Sequence, residues 1–412
     1  MFEMIYKVIL TMTTAALVLV GITCSTSGCP TSTPGTTGTA SSTSSGKLMP
    51  NSCPASANGT YSALLYSLDA GGATLSAASQ DSSGSLVSLT SFASPTLPTT
   101  KSQAMAIVNK QFLYIAMGDT TIQAFRIDRS TGALSTIAGS PYTVPTTSGK
   151  ATSTVADPQG RFLFVGSDNT GEVWAYQIDS KSGILTLTAG SPFSVQFTFS
   201  RVSSLTVDGT GRFLYVGQGD PELGIMAFSI DPVDGMLSQL AGTPFHLGVA
   251  QLRADLAAEF LVGTAQIKNQ SGPAAPDTRI YRFAIESNGV PTPIAGSPFQ
   301  TTFAPYDSIT LPNGMFIFTF GTNPSTHQQG AIEGFQVNIK TGALTRMAGS
   351  PFTGLPLVYS CQVDQSGTHA FCMNELPGTR FSVLSIDSVT GTMKHTGTDL
   401  IVNNTFPFAA TE

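Results

Sequence analysis

The sequence predicts an all-β protein, a seven-bladed β-propeller of four-stranded antiparallel blades whose C-terminal strand closes the ring in blade one. Three observations carry this. A phrase close to Asp-x-x-x-Gly, a hydrophobic residue, then Ala-Gly-Ser-Pro-Phe recurs with its first glycine at Gly84, Gly132, Gly183, Gly235, Gly289, Gly342 and Gly391, in steps of 48 to 54 residues. A period of about 50 residues with strand-like content is that of a propeller blade, not of a helical solenoid. The two ends of the repeat region are incomplete in complementary ways, as a closed ring requires.

The third unit shows how residues specify a blade. Thr152 to Ala156 is a short innermost strand, turned by Asp157-Pro158-Gln159-Gly160. Arg161 to Val165 is an apolar, aromatic and β-branched run suited to a strand covered on both faces. Glu172 to Ile178 forms the third strand. In Asp179 to Gly183 the aspartate can accept backbone N–H bonds and the glycine can take positive φ. Ile184 to Thr188 is the outer strand, and Gly190-Ser191-Pro192 ends it because proline lacks an N–H. Phe193 is then placed to pack between blades.

The other units repeat this order, with second strands such as Phe112-Leu113-Tyr114-Ile115, Phe213-Leu214-Tyr215-Val216 and Phe316-Ile317-Phe318. In the first unit the earliest strand, Tyr61 to Leu68, corresponds to a second strand, so its innermost strand is missing. Phe406 to Thr411 lines up with Ala304 to Ile309, which opens blade six, and supplies it. The seventh unit lacks the Gly-Ser-Pro-Phe phrase.

Outside the repeats, Lys7 followed by the apolar run Val8 to Ile22 makes residues 1–29 an export signal of lipoprotein type, with Cys24 or Cys29 as the lipidated residue. Plain secretion is the alternative. Residues 30–59 are a Ser/Thr/Pro/Gly-rich linker and residues 60–412 the propeller. Charged residues are 11%, against roughly 25% in ordinary soluble domains. The net charge of −6 offers no basic footprint for nucleic acid. The expected setting is the periplasm or cell surface, with membrane contact only through the N-terminal anchor and the propeller a monomer. Cys361 and Cys372 lie on the first two strands of blade seven; a turn centred between Ser366 and Gly367 sets them opposite for a disulfide, whereas a four-residue turn leaves two offset thiols. Cys53 is free to pair with Cys29 if Cys24 carries the lipid. No cysteine or histidine spacing suggests a metal, and no cofactor motif is present.

The Gly-Arg-Phe-Leu-Tyr-Val strands, Ile-Asp-x-x-x-Gly hairpins and Ala-Gly-Ser-Pro-Phe ends resemble the seven-bladed β-propeller lactonase family, which includes 6-phosphogluconolactonase-type enzymes, with YVTN-repeat propellers as close neighbours. The resemblance spans about residues 60 to 412. It implies ring opening of a sugar lactone by water at the channel mouth, without an obligatory metal. It also implies a Pro-Arg-His triplet opening one innermost strand and Asn-Glu-Leu on the next. Asn374-Glu375-Leu376 matches the second element, but Val358-Tyr359-Ser360 stands in place of the triplet, so the arginine and histidine are absent.

Glu375 is therefore the first catalytic candidate. Aligning the other blades on Ser360 places Ser153, Ser204, Gln251 and Asp307 at the same level, with Asp307 the one acidic member, next to Tyr306 and near Arg253. Glu375 and Asp307 are the candidate carboxylates, and Asn374, Tyr306, Tyr359, Ser360, Ser153, Ser204, Gln251 and Arg253 the candidate lining. A lactonase needs a base for water and donors for an oxyanion. With the cationic partner gone, the expectation is a catalytically degenerate scaffold binding a small sugar-type ligand or an envelope protein. A lactone hydrolase and a structural surface repeat are the alternatives.

Overall fold

The computed structural model describes residues 63–411 apart from residues 70–73, 82–84, 99–103, 146–148, 168, 196–201, 219–223, 246–248, 250, 256–258, 265–276, 324–329, 357, 359, 365, 375–379, 398 and 402–404. The described residues form seven antiparallel sheets built on four strands, in blades two to seven in sequence order from the axis outward, with a short fifth strand in four of the sheets and no helix. The innermost strands of successive blades lie side by side around the axis. In blade one the order is Thr405–Thr411, Leu64–Asp69, Leu75–Gln80, Leu86–Ser88, so the C-terminal strand is its innermost member. The expected closure is present. Cys24, Cys29 and Cys53 lie outside the described residues.

The blades carry a refinement that the proline rule does not predict. After each cis Ser–Pro bond at Ser140–Pro141, Ser191–Pro192 and Ser297–Pro298, the chain turns back and a two-residue strand pairs with the third strand of its own blade. Proline ends the outer strand as expected, and the following aromatic opens a fifth. Phe193, for example, lies opposite Val173 and packs on the cluster shared by blades three and four.

Adjacent blades meet at one repeated joint. In blades three to seven the hairpin glycine sits on the second-strand phenylalanine of the blade before it, and in blade two Gly132 sits on Leu64 and Leu89; a Cβ at Gly183 would lie 2.5 Å from Phe112. Its φ of 75° also belongs to the left-handed region. The phrase is periodic because this position excludes every other residue twice over. Tyr66, Tyr114 and Tyr215 strengthen the joint by donating their hydroxyls to the carbonyls of Gly132, Gly183 and Gly289 at 2.7, 2.7 and 2.8 Å.

Blade five inverts this joint. An aromatic second-strand residue normally faces a small third-strand residue, as in Tyr114 opposite Ala124 and Tyr215 opposite Ala227. In blade five Val262 faces Arg282. Arg282 is completely buried, lies over the Phe260 ring at 4.9 Å, and its Nε donates to the Gly342 carbonyl at 3.3 Å. The large side chain has moved to the neighbouring strand and taken over the glycine contact. Burial brings the Arg282 pKa down to about 10, with the charge of Asp255 acting in the opposite direction.

Candidate functional site

Of the residues singled out by sequence, three from consecutive blades converge beside the axis. Arg253, on the innermost strand Gln251–Ala254 of blade five, donates from Nε and Nη2 to the two carboxylate oxygens of Asp307 at 3.1 and 2.8 Å. Asp307 lies on the innermost strand Ala304–Thr310 of blade six. Ser360, the first residue of Ser360–Val363 in blade seven, donates its hydroxyl to Asp307 Oδ2 at 2.7 Å. The Ser308 N–H donates to Oδ1 at 2.8 Å. Arg253 keeps a quarter of its side chain exposed, whereas the Asp307 side chain is 8% exposed. Burial works against the Arg253 charge, but the adjacent Asp307 carboxylate outweighs it and holds the guanidinium pKa above its ordinary value.

A β-bulge sets this geometry. Pro305 faces Gly321 and Asp307 faces Phe320, leaving Tyr306 as the extra residue. The Tyr306 carbonyl accepts a bond from Thr264 of blade five at 3.1 Å, and the tyrosine itself is half-buried. A Cβ at Gly321 would run into the Ala304 carbonyl, so the crossing of these strands requires glycine.

The remaining candidates divide. Gln251 is half-buried at the start of its strand, opposite Thr264. Ser204 is buried and its hydroxyl accepts the Leu252 N–H of the next blade at 3.0 Å, so it ties blades four and five together rather than facing a ligand. Ser153 is buried at the matching level of blade three, and its hydroxyl has no partner among the described residues. Asn374 turns into its own sheet and donates to Ser382 at 2.7 Å. Tyr359 and Glu375 lie outside the described residues. Cys361 and Cys372 stand directly opposite in register, with Cα atoms 4.1 Å apart, and are bonded as a disulfide immediately behind Ser360. The turn is centred between Ser366 and Gly367, the first of the two alternatives.

Sequence reasoning missed the polar groups that support these strands. Glu333, buried in the third strand of blade six, accepts the N–H groups of Thr302 and Phe303 on Oε1 at 2.7 and 2.8 Å. Arg346 pairs with its other oxygen, lies over the Phe335 ring, and donates to Thr302 Oγ1 at 3.1 Å and the Gln300 carbonyl at 3.0 Å. In blade five Asp277 holds Arg279 at 2.7 and 3.0 Å and the Tyr281 hydroxyl at 3.0 Å. Burial, then the Asp277 charge, pushes the Tyr281 hydroxyl up to about 12. In blade seven Ser382 and His395 both donate to Asp399 Oδ1, at 2.5 and 2.8 Å. The available signal was a glutamate inside the otherwise apolar run Ala331-Ile332-Glu333-Gly334-Phe335.

The cluster can hold charge in place but has little spare capacity to move protons. A carboxylate offers about four lone-pair sites, and the four bonds named above engage both oxygens of Asp307. Among the described residues no group of three or more His, Cys, Asp and Glu side chains could hold a metal ion, and no helix is long and apolar enough to cross a membrane.

Residues 73–197 match the family model described as Lactonase, 7-bladed beta-propeller. No curated protein matches the chain. Among solved structures, the chain is similar to a protein provisionally designated a 6-phosphogluconolactonase in Bacteroides uniformis, at 16% identity and a TM-score of 0.66, covering 84% of this chain and 98% of that one. It is also similar to the periplasmic gluconolactonase PpgL of Pseudomonas aeruginosa, at 16% identity and a TM-score of 0.63, covering 85% and 98% of the two chains. At such identities these likenesses speak to fold. The repeat grammar, the ring of seven blades and these likenesses agree on the fold: this chain is a seven-bladed β-propeller, and its residues 73–197 resemble the lactonase family.

Proposed function

We propose that the chain is an exported envelope protein whose propeller binds a small sugar-type ligand at the mouth lined by blades five to seven, without hydrolysing it. One observation carries this reading: the carboxylate of Asp307 is committed to Arg253, Ser360 and its own strand, so it can abstract a proton from water only by giving up a bond it already makes. The same arrangement suits recognition. A partly exposed guanidinium with its charge balanced from behind is a fixed donor for hydroxyl or carbonyl oxygens. Export and anchoring through Cys24 or Cys29 rest on the N-terminal sequence; mass spectrometry of the mature N-terminus tests them.

A second reading, hydrolysis of a sugar lactone with Glu375 as base, is favoured by the family match over residues 73–197 and by Asn374-Glu375-Leu376. Calorimetric titration with gluconate, glucono-δ-lactone and neutral oligosaccharides, run beside a hydrolysis assay, separates the two. Saturable binding without turnover supports the scaffold. Turnover abolished by Glu375→Gln or Asp307→Asn replaces it with the hydrolase, and neither binding nor turnover leaves a structural repeat.

A further inference from the structure

The departures from the repeat fall on the same three blades that bear the cluster. Equivalent third-strand positions are fixed by a recurring backbone bond in which the residue ending the outer strand donates to a third-strand carbonyl. Ile137 donates to Ala124, Thr188 to Ala175, Leu240 to Ala227, Ile294 to Arg282, Met347 to Gly334 and Thr396 to Val383. One residue before each acceptor, blades two, three and four carry Gln123, Trp174 and Met226, of which Gln123 accepts only the Ser140 hydroxyl of its own blade among the described residues, whereas blades five, six and seven carry Tyr281, Glu333 and Ser382. Each of the latter three anchors a polar network. In blade seven Asp399 also occupies the place that the Gly-Ser-Pro serine takes in blades two, three, five and six, where Ser140, Ser191, Ser297 and Ser350 cap a third-strand N–H.

We propose that Glu333, secured by Arg346, is the positioning residue of the Arg253–Asp307–Ser360 cluster; the inference deepens the reading of that cluster as a ligand site. Thr302 and Phe303 immediately precede the strand that bears Asp307, and their N–H groups converge on one buried oxygen of Glu333. Arg346 neutralises the carboxylate and fixes Gln300 and Thr302 in the same grip. From the other side, the Thr301 N–H donates to Thr278 at 2.8 Å.

Asp307 lies four positions after Phe303, and between them lies the bulge at Tyr306. The entry path therefore decides which residue is the extra one. If the bulge moves by a single position, side chains between the old and new sites exchange faces of the strand. Glu333 holds the register in which Asp307 faces Arg253 and Ser360.

The test reads the cluster directly and needs no ligand. In protein carrying ¹⁵N-arginine, the Arg253 Nε–H resonance reports its bond to Asp307, with Asp307→Asn as the reference for loss. Glu333→Leu and Arg346→Met should accelerate exchange of this proton about tenfold or more, the scale of losing a bond to a charged group. Glu333→Gln, which keeps an acceptor for the two N–H groups, should recover part of the protection. Arg346 is one-third exposed, so Arg346→Met carries the test if Glu333→Leu does not fold. Wild-type protection of Arg253 in a folded Arg346→Met or Glu333→Leu protein, even with a lowered Tm, overturns the proposal and reduces the clamp to general stability. Failure of every sugar to bind counts against the ligand reading alone and leaves this result standing.

Discussion

Arg253 grips both carboxylate oxygens of Asp307 across the joint between blades five and six, and Ser360 of blade seven completes the grip. Removing one member leaves the other charged group without its partner in a mostly buried place, which costs about 3 kcal/mol or more. Asp307→Ala and Arg253→Met should each lower stability on that scale. The double variant should lose less than the sum of the singles, because no orphaned charge remains. Urea unfolding of the four proteins measures the coupling; strict additivity would mean that the pair is not formed.

Ring closure makes a second expectation. The strand Thr405–Thr411 supplies the inner edge of blade one. Truncation after residue 404 should destabilise the whole propeller rather than one blade, since it opens a sheet edge at the seam. Thermal unfolding and limited proteolysis should both show a global change, with new cleavage not confined to residues 64–88.

Two glycines with nearly the same backbone separate conformation from space. Gly183 has φ 75° and lies on Phe112, whereas Gly349 has φ 78° with open space around it. Gly349→Ala should cost about 1 kcal/mol for the left-handed backbone. Gly183→Ala should cost roughly 1–3 kcal/mol more, because the Phe112 ring must also move. Equal losses in chemical denaturation would show that the interblade contact is slack.

The exchanged joint of blade five predicts compensation. Arg282→Ala alone removes the side chain that fills the space beside Val262, and Val262→Tyr alone overpacks it. Together they recreate the Tyr–Ala pair of blades two and four. The double variant should be more stable than the two single losses predict by about 1 kcal/mol or more, measured as a shift in the denaturation midpoint.

Acid should weaken the hairpins. Asp128, Asp179 and Asp387 are each held below the ordinary carboxylate pKa, chiefly by hydrogen bonds from Ser130, Ser182 and Thr390. A depressed folded pKa contributes stability that is present above the unfolded value of about 3.9 and lost as pH falls through the folded one. In blade six Asn338 makes the same turn bonds without a charge. Replacing the three aspartates by asparagine should preserve the fold at neutral pH and flatten the loss of Tm below about pH 4. An unchanged acid profile would show that the hairpins do not govern it.

The sequence by itself determined the number of blades, the order of their strands and the identity of the closing strand. Each is written in local requirements that recur from blade to blade: an aspartate, or in blade six an asparagine, that caps, a glycine whose backbone and neighbour exclude other residues, an aromatic that fills a joint. It also brought forward Arg253, Asp307 and Ser360. Tertiary structure alone decided that these three bond across three blades, that Ser204 ties blade four to blade five and Asn374 turns into its own sheet, and that Cys361 meets Cys372. It decided too that Arg282 does the work of a tyrosine, and that Glu333 and Arg346 hold the path into Asp307. The physical reason is the difference in range. A repeat fixes what each blade needs from its own turns, whereas a bulge, a buried charge or a bond between blades depends on which residues of other strands and other blades come together, and no local pattern encodes that meeting.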